Sequence, residues 1–217
     1  MSDLAMDLAE RLTSPRGAGL DPALWLPLLK LLSEGKPVGV DDLAAETGRP
    51  EDQLRQALAA VPDTEYDGDG RIVGLGLTLR PTRHHFTVDG RQLYTWCALD
   101  TLIFPTLLDT TATIESLSPT TGTPVRMHAG PDGVTSVEPA TAVVSLVNPE
   151  DMTSVRGAFC SQVHFFASRE DAQPWLDTHP GGEVMVVDEA YRVGTALAAS
   201  MVEHQPSDPD ETSPRCC

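Results

Sequence analysis

Val40-Asp41-Asp42-Leu43-Ala44-Ala45-Glu46-Thr47-Gly48 is a short amphipathic run closed by a glycine. After Arg49 a second run, Pro50 to Val61, sets Leu54, Ala57, Leu58 and Val61 on one face. Two short helices joined by a turn holding Gly48 form the helix-turn-helix pattern. Upstream, Asp21-Pro22 opens a further helix over Ala23 to Ser33, with Leu24, Trp25, Leu28, Leu29 and Leu32 at helical spacing and Gly35 as the stop. Downstream, Tyr66-Asp67-Gly68-Asp69-Gly70-Arg71-Ile72-Val73-Gly74-Leu75 carries an Asp-Gly turn and then a β-rich run, which predicts a hairpin wing. Residues 1–80 therefore read as a winged-helix-like N-terminal domain.

From Pro81 the texture changes. Thr82 to Val88 reads as a strand, Asp89-Gly90 as a turn, and Gln92 to Leu108 as a helical stretch that holds Cys97 and is bent or ended by Pro105. Short β-like runs follow between proline and glycine clusters: Ala112 to Leu117, Pro124 to His128, Val134 to Glu138, Ala142 to Val147 and Val163 to Phe166. Arg169 to Thr178 predicts a helix, Glu183 to Val187 a strand and Asp188 to His204 a last helix. The expected fold is α+β: the winged-helix-like part, then a catalytic domain over 81–205 of antiparallel sheets and helices, then a flexible tail over 206–217.

The chain has 217 residues with a formal net charge of −17, from 32 acidic and 15 basic side chains. Such a charge repels a phosphate backbone. The second helix of the helix-turn-helix offers Glu51 and Asp52 against a single Arg55, so it reads as a packing module and nucleic acid is not an expected partner. No stretch approaches the roughly 18 consecutive apolar residues of a membrane helix, and Met1 to Arg11 reads as an acidic amphipathic start rather than a signal peptide. The expected location is the cytoplasm, with no membrane partner. There thiols stay reduced, so a structural disulfide between Cys97 and Cys160 is not the default.

Cys97 lies in the apolar run Tyr94 to Asp100, with a carboxylate three positions on. On a helix Cys97 and Asp100 share a face, their Cβ atoms about 5–6 Å apart. Trp96, Leu99, Leu102, Ile103 and Phe104 would desolvate the carboxylate and raise its pKa, making Asp100 a candidate general acid. Cys160 is 63 positions further on and must be brought in by the fold. Two thiolates suit a soft, linearly coordinated metal such as mercury, whereas structural zinc takes four ligands. His164 could be a third ligand, but in its apolar run it reads as a packed or hydrogen-bonded residue. Nothing in the spacing of His84, His85 and His128 favours metal binding.

Three segments together resemble the alkylmercury (organomercurial) lyase family. They are Leu75 to Phe86; Leu93-Tyr94-Thr95-Trp96-Cys97-Ala98-Leu99-Asp100 through Pro105; and Phe159-Cys160-Ser161-Gln162-Val163-His164-Phe165-Phe166 through Ser168. The resemblance covers about residues 20 to 200. It implies protonolysis of carbon–mercury bonds by Cys97, Asp100 and Cys160, with no resident cofactor. The organomercurial substrate yields a hydrocarbon and Hg(II), which passes to low-molecular-weight thiols or to mercuric reductase. Where family members often carry further cysteines, this chain has Ser118 and Ser161. The terminal pair Cys216-Cys217 resembles the vicinal cysteines of mercuric reductases, which implies a metal handoff. A reading of another class is a winged-helix, thiol-based metal-sensing regulator. A thiol redox protein ranks last, because no Cys-X-X-Cys occurs.

Overall fold

The structure, a computed structural model, describes residues 21–149, 151 and 153–203. Met1 to Arg11, Cys216, Cys217 and the rest of the expected tail lie outside the described residues.

Three helices open the described chain: α1 (Pro22–Ser33), α2 (Val40–Thr47) and α3 (Glu51–Ala59). Each boundary has a local cause. Asp21 Oδ1 accepts from Ala23 N at 3.0 Å at the start of α1, and α2 stops at Gly48, whose φ of 68° is the left-handed conformation glycine adopts without a Cβ clash. The face of α1 carrying Leu24, Trp25, Leu28, Leu29 and Leu32 is buried. The helix-turn-helix reading therefore describes the structure.

The wing hairpin forms between β1 (Glu65–Tyr66) and β2 (Ile72–Leu75), but it is not free. β2 pairs with β3 (Leu77–Thr78), and β3 with β5 (Arg91–Thr95), which also pairs with β4 (His84–Val88). The sheet continues through β6 (Ala112–Leu117), β7 (Pro124–Gly130) and β8 (Gly133–Glu138), in the order β1-β2-β3-β5-β4-β6-β7-β8. One antiparallel sheet thus crosses residue 80. One apolar core does the same, running from Leu24 and Leu28 through Ile72, Leu77, Phe86 and Phe104 to Ile114. The β4–β5 turn uses Asp89 and Gly90 at φ of 50° and 74°, the two positive angles that a two-residue hairpin needs to match strand twist.

Helix α4 (Ala98–Leu107) leaves β5 and packs beneath the sheet. A second, antiparallel sheet places β9 (Val143–Leu146) between β10 (Phe165–Phe166) and β11 (Glu183–Val186). Helix α5 (Val155–Ala158) is a single turn, α6 (Gln173–Thr178) follows β10, and α7 (Val187–Glu203) packs along α4. Gly194 permits that approach, since a Cβ there would sit 2.8 Å from Ile103 Cγ1. Among the described residues no helix is long and apolar enough to cross a membrane.

The expected helix over Gln92 to Leu108 is corrected. Its first half is strand β5, held by partners on both sides, and Cys97 is extended, at φ −142° and ψ 170°. Two hydrogen-bonded neighbours outweigh the weak helical preference of Leu93 to Trp96. Two further differences are local: strand β10 begins only at Phe165, and α6 begins only at Gln173.

Candidate active site

Cys97 is the N-cap of α4. Asp100 N donates to Cys97 Sγ at 3.4 Å, and Cys97 N donates to Asp100 Oδ2 at 3.1 Å. This is a capping box with cysteine in the place usually held by serine or threonine. The thiol therefore sits at the positive end of a helix dipole, which favours its ionised form. Thr95 Oγ1 donates to Cys97 O at 2.8 Å, and Ala98 N donates to Val163 O at 3.1 Å, which ties this arm to the segment carrying the second thiol.

Cys160 begins a 3₁₀ turn, Cys160–Gln162, directly after α5. The fold brings it to Cys97: one ligand atom from each of Cys97, Asp100 and Cys160 lies within 4.8 Å of the others. Both thiols are free, with Cys97 0% and Cys160 3% exposed.

Burial sets the proton balance. It pushes the Asp100 carboxyl up to about 6, against hydrogen bonds from Cys97 and the Trp96 backbone that favour the carboxylate. Cys97 is pushed well above the ordinary thiol range by burial, by its hydrogen bond to Cys160 and by the Asp100 charge. For Cys160 that same hydrogen bond lowers the pKa, but burial and the carboxylates of Asp100 and Asp63 raise it overall. The resting site therefore holds two thiols beside a carboxyl that takes or yields a proton near neutral pH.

A cavity of about 60 Å³ reaches Asp100 and Cys160, and its mostly apolar wall includes Trp25, Val61, Pro62, Trp96 and Val155. More than half of this wall belongs to the N-terminal part: Trp25, Val61, Pro62, Asp63, Leu75 and Gly76. Trp25 is braced by a hydrogen bond from Nε1 to Leu75 O at 3.3 Å and by Phe104, 6.0 Å away between ring centroids.

The remaining candidates fall elsewhere. His164 is not in the ligand cluster; its ring lies 6.0 Å from that of buried His84, at an interplanar angle of 13°. His84 Nδ1 meets Ser116 Oγ at 2.9 Å, while His84 Nε2 and His164 Nδ1 are buried without a hydrogen-bond partner among the described residues. Burial holds His84 well below the ordinary imidazole range and His164 at about 4. His85 and His128 make outward contacts with Gln92 and Thr113. Ser118 Oγ accepts from Thr120 N at 3.2 Å, stabilising a turn, and Ser161 Oγ donates to Arg156 O at 2.8 Å. Neither serine joins the ligand cluster. Sequence spacing marks Trp25 only as a core residue of its helix and gives no sign of Asp63 or Arg156, because only long-range packing brings all three here. The i, i+3 spacing of Cys97 and Asp100 signals that the two act together, but not that Cys97 stands outside the helix as its cap.

Comparison with known proteins places the whole chain. The sequence profile of the alkylmercury lyase family matches residues 77–199, and that of the helix-turn-helix domain of alkylmercury lyase matches residues 3–76. The chain is 52% identical to an alkylmercury lyase of Streptomyces lividans over 221 residues, covering 100% of each chain. It is 50% identical to one of Bacillus cereus, covering 90% of each chain, and 43% identical to one of Pseudomonas putida, covering 90% of this chain and 92% of that relative. The crystal structure of the mercury-bound form of MerB2 superposes with a TM-score of 0.74 at 25% identity, covering 93% of this chain and 100% of that one. With both profiles and full-length relatives in agreement, this chain belongs to the alkylmercury lyase family.

Proposed function

We propose that this chain cleaves the carbon–mercury bond of organomercurials by protonolysis, with Cys97 and Cys160 as the mercury-holding thiols and Asp100 as the proton carrier. The observation that carries this reading is the triangle of two buried free thiols and one half-buried carboxyl within 4.8 Å.

The chemistry follows from that triangle. One thiol displaces the weakly held ligand X of R–Hg–X and its proton leaves as HX, forming R–Hg–S. The second thiol gives its proton to Asp100 and adds to the metal, which pushes electron density onto the mercury-bound carbon. Asp100 then protonates that carbon, the carbon–mercury bond breaks and RH departs. Hg(II) stays bridged between the two sulfurs. Two external thiols remove it by exchange, returning a proton to each cysteine. The cavity beside Asp100 and Cys160 is the proposed entry for the organic group.

Low-molecular-weight thiols and mercuric reductase are the proposed acceptors, in the cytoplasm. The pair Cys216-Cys217 is the proposed handoff site. Deleting the pair should slow transfer to a reductase when free thiol is scarce; unchanged transfer rejects that role. For the reaction itself, Cys160→Ala is expected to stop single-turnover benzene release from a phenylmercury salt, and release at the natural rate would refute the assignment.

The regulator reading has little support. The outward face of α3 presents Glu51, Asp52, Gln53 and Gln56, and its Arg55 is paired with Glu51 at 2.9 Å. A low-salt gel shift on DNA should show no complex.

A further inference from the structure

Arg156 touches both arms of the thiol site and the N-terminal part together. Its guanidinium carbon lies 4.8 Å from the ring centroid of Trp96, the residue before Cys97. Its own backbone leads into the turn that holds Cys160. Arg156 Nη1 donates to Glu65 Oε1 on β1, and Arg156 N donates to Asp63 Oδ2 at 3.1 Å. Ser154 Oγ donates to the other Asp63 oxygen at 2.8 Å.

Glu65 is a costly residue to bury, at 7% exposure. A buried carboxylate is tolerated when it is paired and hydrogen-bonded. Here Arg156 binds one oxygen and Thr78 Oγ1 donates to the other. Gly74 makes the room, since a Cβ at that position would collide with both Glu65 and Thr78. The sheet is thus built to keep an acid where Arg156 can reach it.

The two thiols differ in what fixes them. Cys97 is set by a strand, a helix and a reciprocal cap. Cys160 follows a helix of one turn, and a single turn does not hold its conformation without tertiary contacts. Its position therefore depends on tertiary contacts at both ends: Val163 O accepts from Ala98 N on the far side, and on the near side the turn is held by the contacts to Asp63, Glu65 and Trp96.

We infer that Arg156 is a positioning residue for the thiol pair: with Asp63 and Glu65 it fastens the Cys160 turn to the N-terminal part and to Trp96, holding the two sulfurs at metal-bridging distance. The helix-turn-helix part then acts as a strut for the site. The inference rests on the proposed function for the identity of the metal.

The test uses the full chain as Arg156→Gln, Arg156→Lys and Asp63→Ala. Mercuric chloride retention is titrated against competing glutathione through the ultraviolet mercury–thiolate absorption, and Cys160 labelling by a small alkylating reagent is timed by peptide mass analysis. Arg156→Gln is expected to weaken retention about tenfold or more, the scale on which residues supporting metal ligands act. It should also speed Cys160 labelling relative to Cys97, with Arg156→Lys recovering most of both effects. Natural retention and natural labelling in folded Arg156→Gln would overturn the inference. If that variant does not fold, Asp63→Ala decides by the same two outcomes. Neither readout uses carbon–mercury cleavage, so a natural protein that failed to release benzene would overturn the proposed function and leave this measurement standing.

Discussion

Cys97 and Asp100 cap one another across the first turn of α4, each accepting the other's backbone N–H, at 3.4 Å on sulfur and 3.1 Å on oxygen. The groups proposed to hold the metal and to move the proton are therefore also the groups that start the helix. Structural and chemical roles can be separated by choosing substitutions that keep the cap.

Cys97→Ser is such a substitution. Serine is a favoured N-cap residue, so stability should change by no more than about 1 kcal/mol. Benzene release should vanish, because a hydroxyl does not hold mercury as a thiolate does. A thermal melt alongside single-turnover chromatography reads both; retained cleavage would remove Cys97 from the mechanism.

Asp100→Asn keeps an oxygen for the Cys97 N–H and removes the transferable proton. Cleavage should fall by about 10²–10⁴, the usual contribution of a positioned acid–base group. Binding of Hg(II) as the bare ion should persist, measured by mercury–thiolate absorption. Equal losses of binding and cleavage would mean that Asp100 serves only to build the site.

The pH dependence of cleavage should follow the Asp100 carboxyl. It must be ionised to receive a thiol proton, and burial places its pKa at about 6. Single-turnover rates should therefore decline as pH is lowered through about 6. In folding the same shift has the opposite sense. A carboxyl raised from 3.8 favours the folded state below its unfolded pKa, and that contribution is lost as pH rises through about 6.

Acid should nevertheless destabilise the fold through His84 and His164. Both are held neutral by burial, His164 at about 4 against an ordinary 6.5. A depressed imidazole supports the fold above its unfolded pKa, and the support is lost as pH falls from 6.5 towards 4. The melting temperature should drop across that window, and less so in His164→Gln. An identical slope in that variant would assign the acid sensitivity elsewhere.

Gly76→Ala should be costly. Gly76 has φ +82°, and a Cβ would stand 2.9 Å from Phe104 Cζ, in the packing that also supports Trp25. A loss of about 1–3 kcal/mol is expected from the backbone conformation alone, read by chemical denaturation.

The helices at Leu24 to Leu32 and Leu54 to Leu58, the Asp89-Gly90 turn and the strand Ala112–Leu117 are recoverable from sequence, because each is set by local periodicity or by a glycine that only one conformation requires. The segment before Cys97 misleads for the opposite reason. Leu93 to Trp96 has no strong local preference, and its strand state comes from β3 and β4, which lie at a distance in the chain.

By itself the sequence determined the chemistry available: two soft thiols and an acid in apolar surroundings, too few ligands for structural zinc, in a chain of net charge −17. Only the tertiary structure decided that Cys160 reaches Cys97, that Cys97 caps a helix, and that Trp25, Asp63 and Glu65 from the helix-turn-helix side complete and brace the site. Spacing encodes neighbours within a helical turn. A contact across 63 positions exists only once a shared core has fixed both ends, and here that core is one sheet running through both parts of the chain.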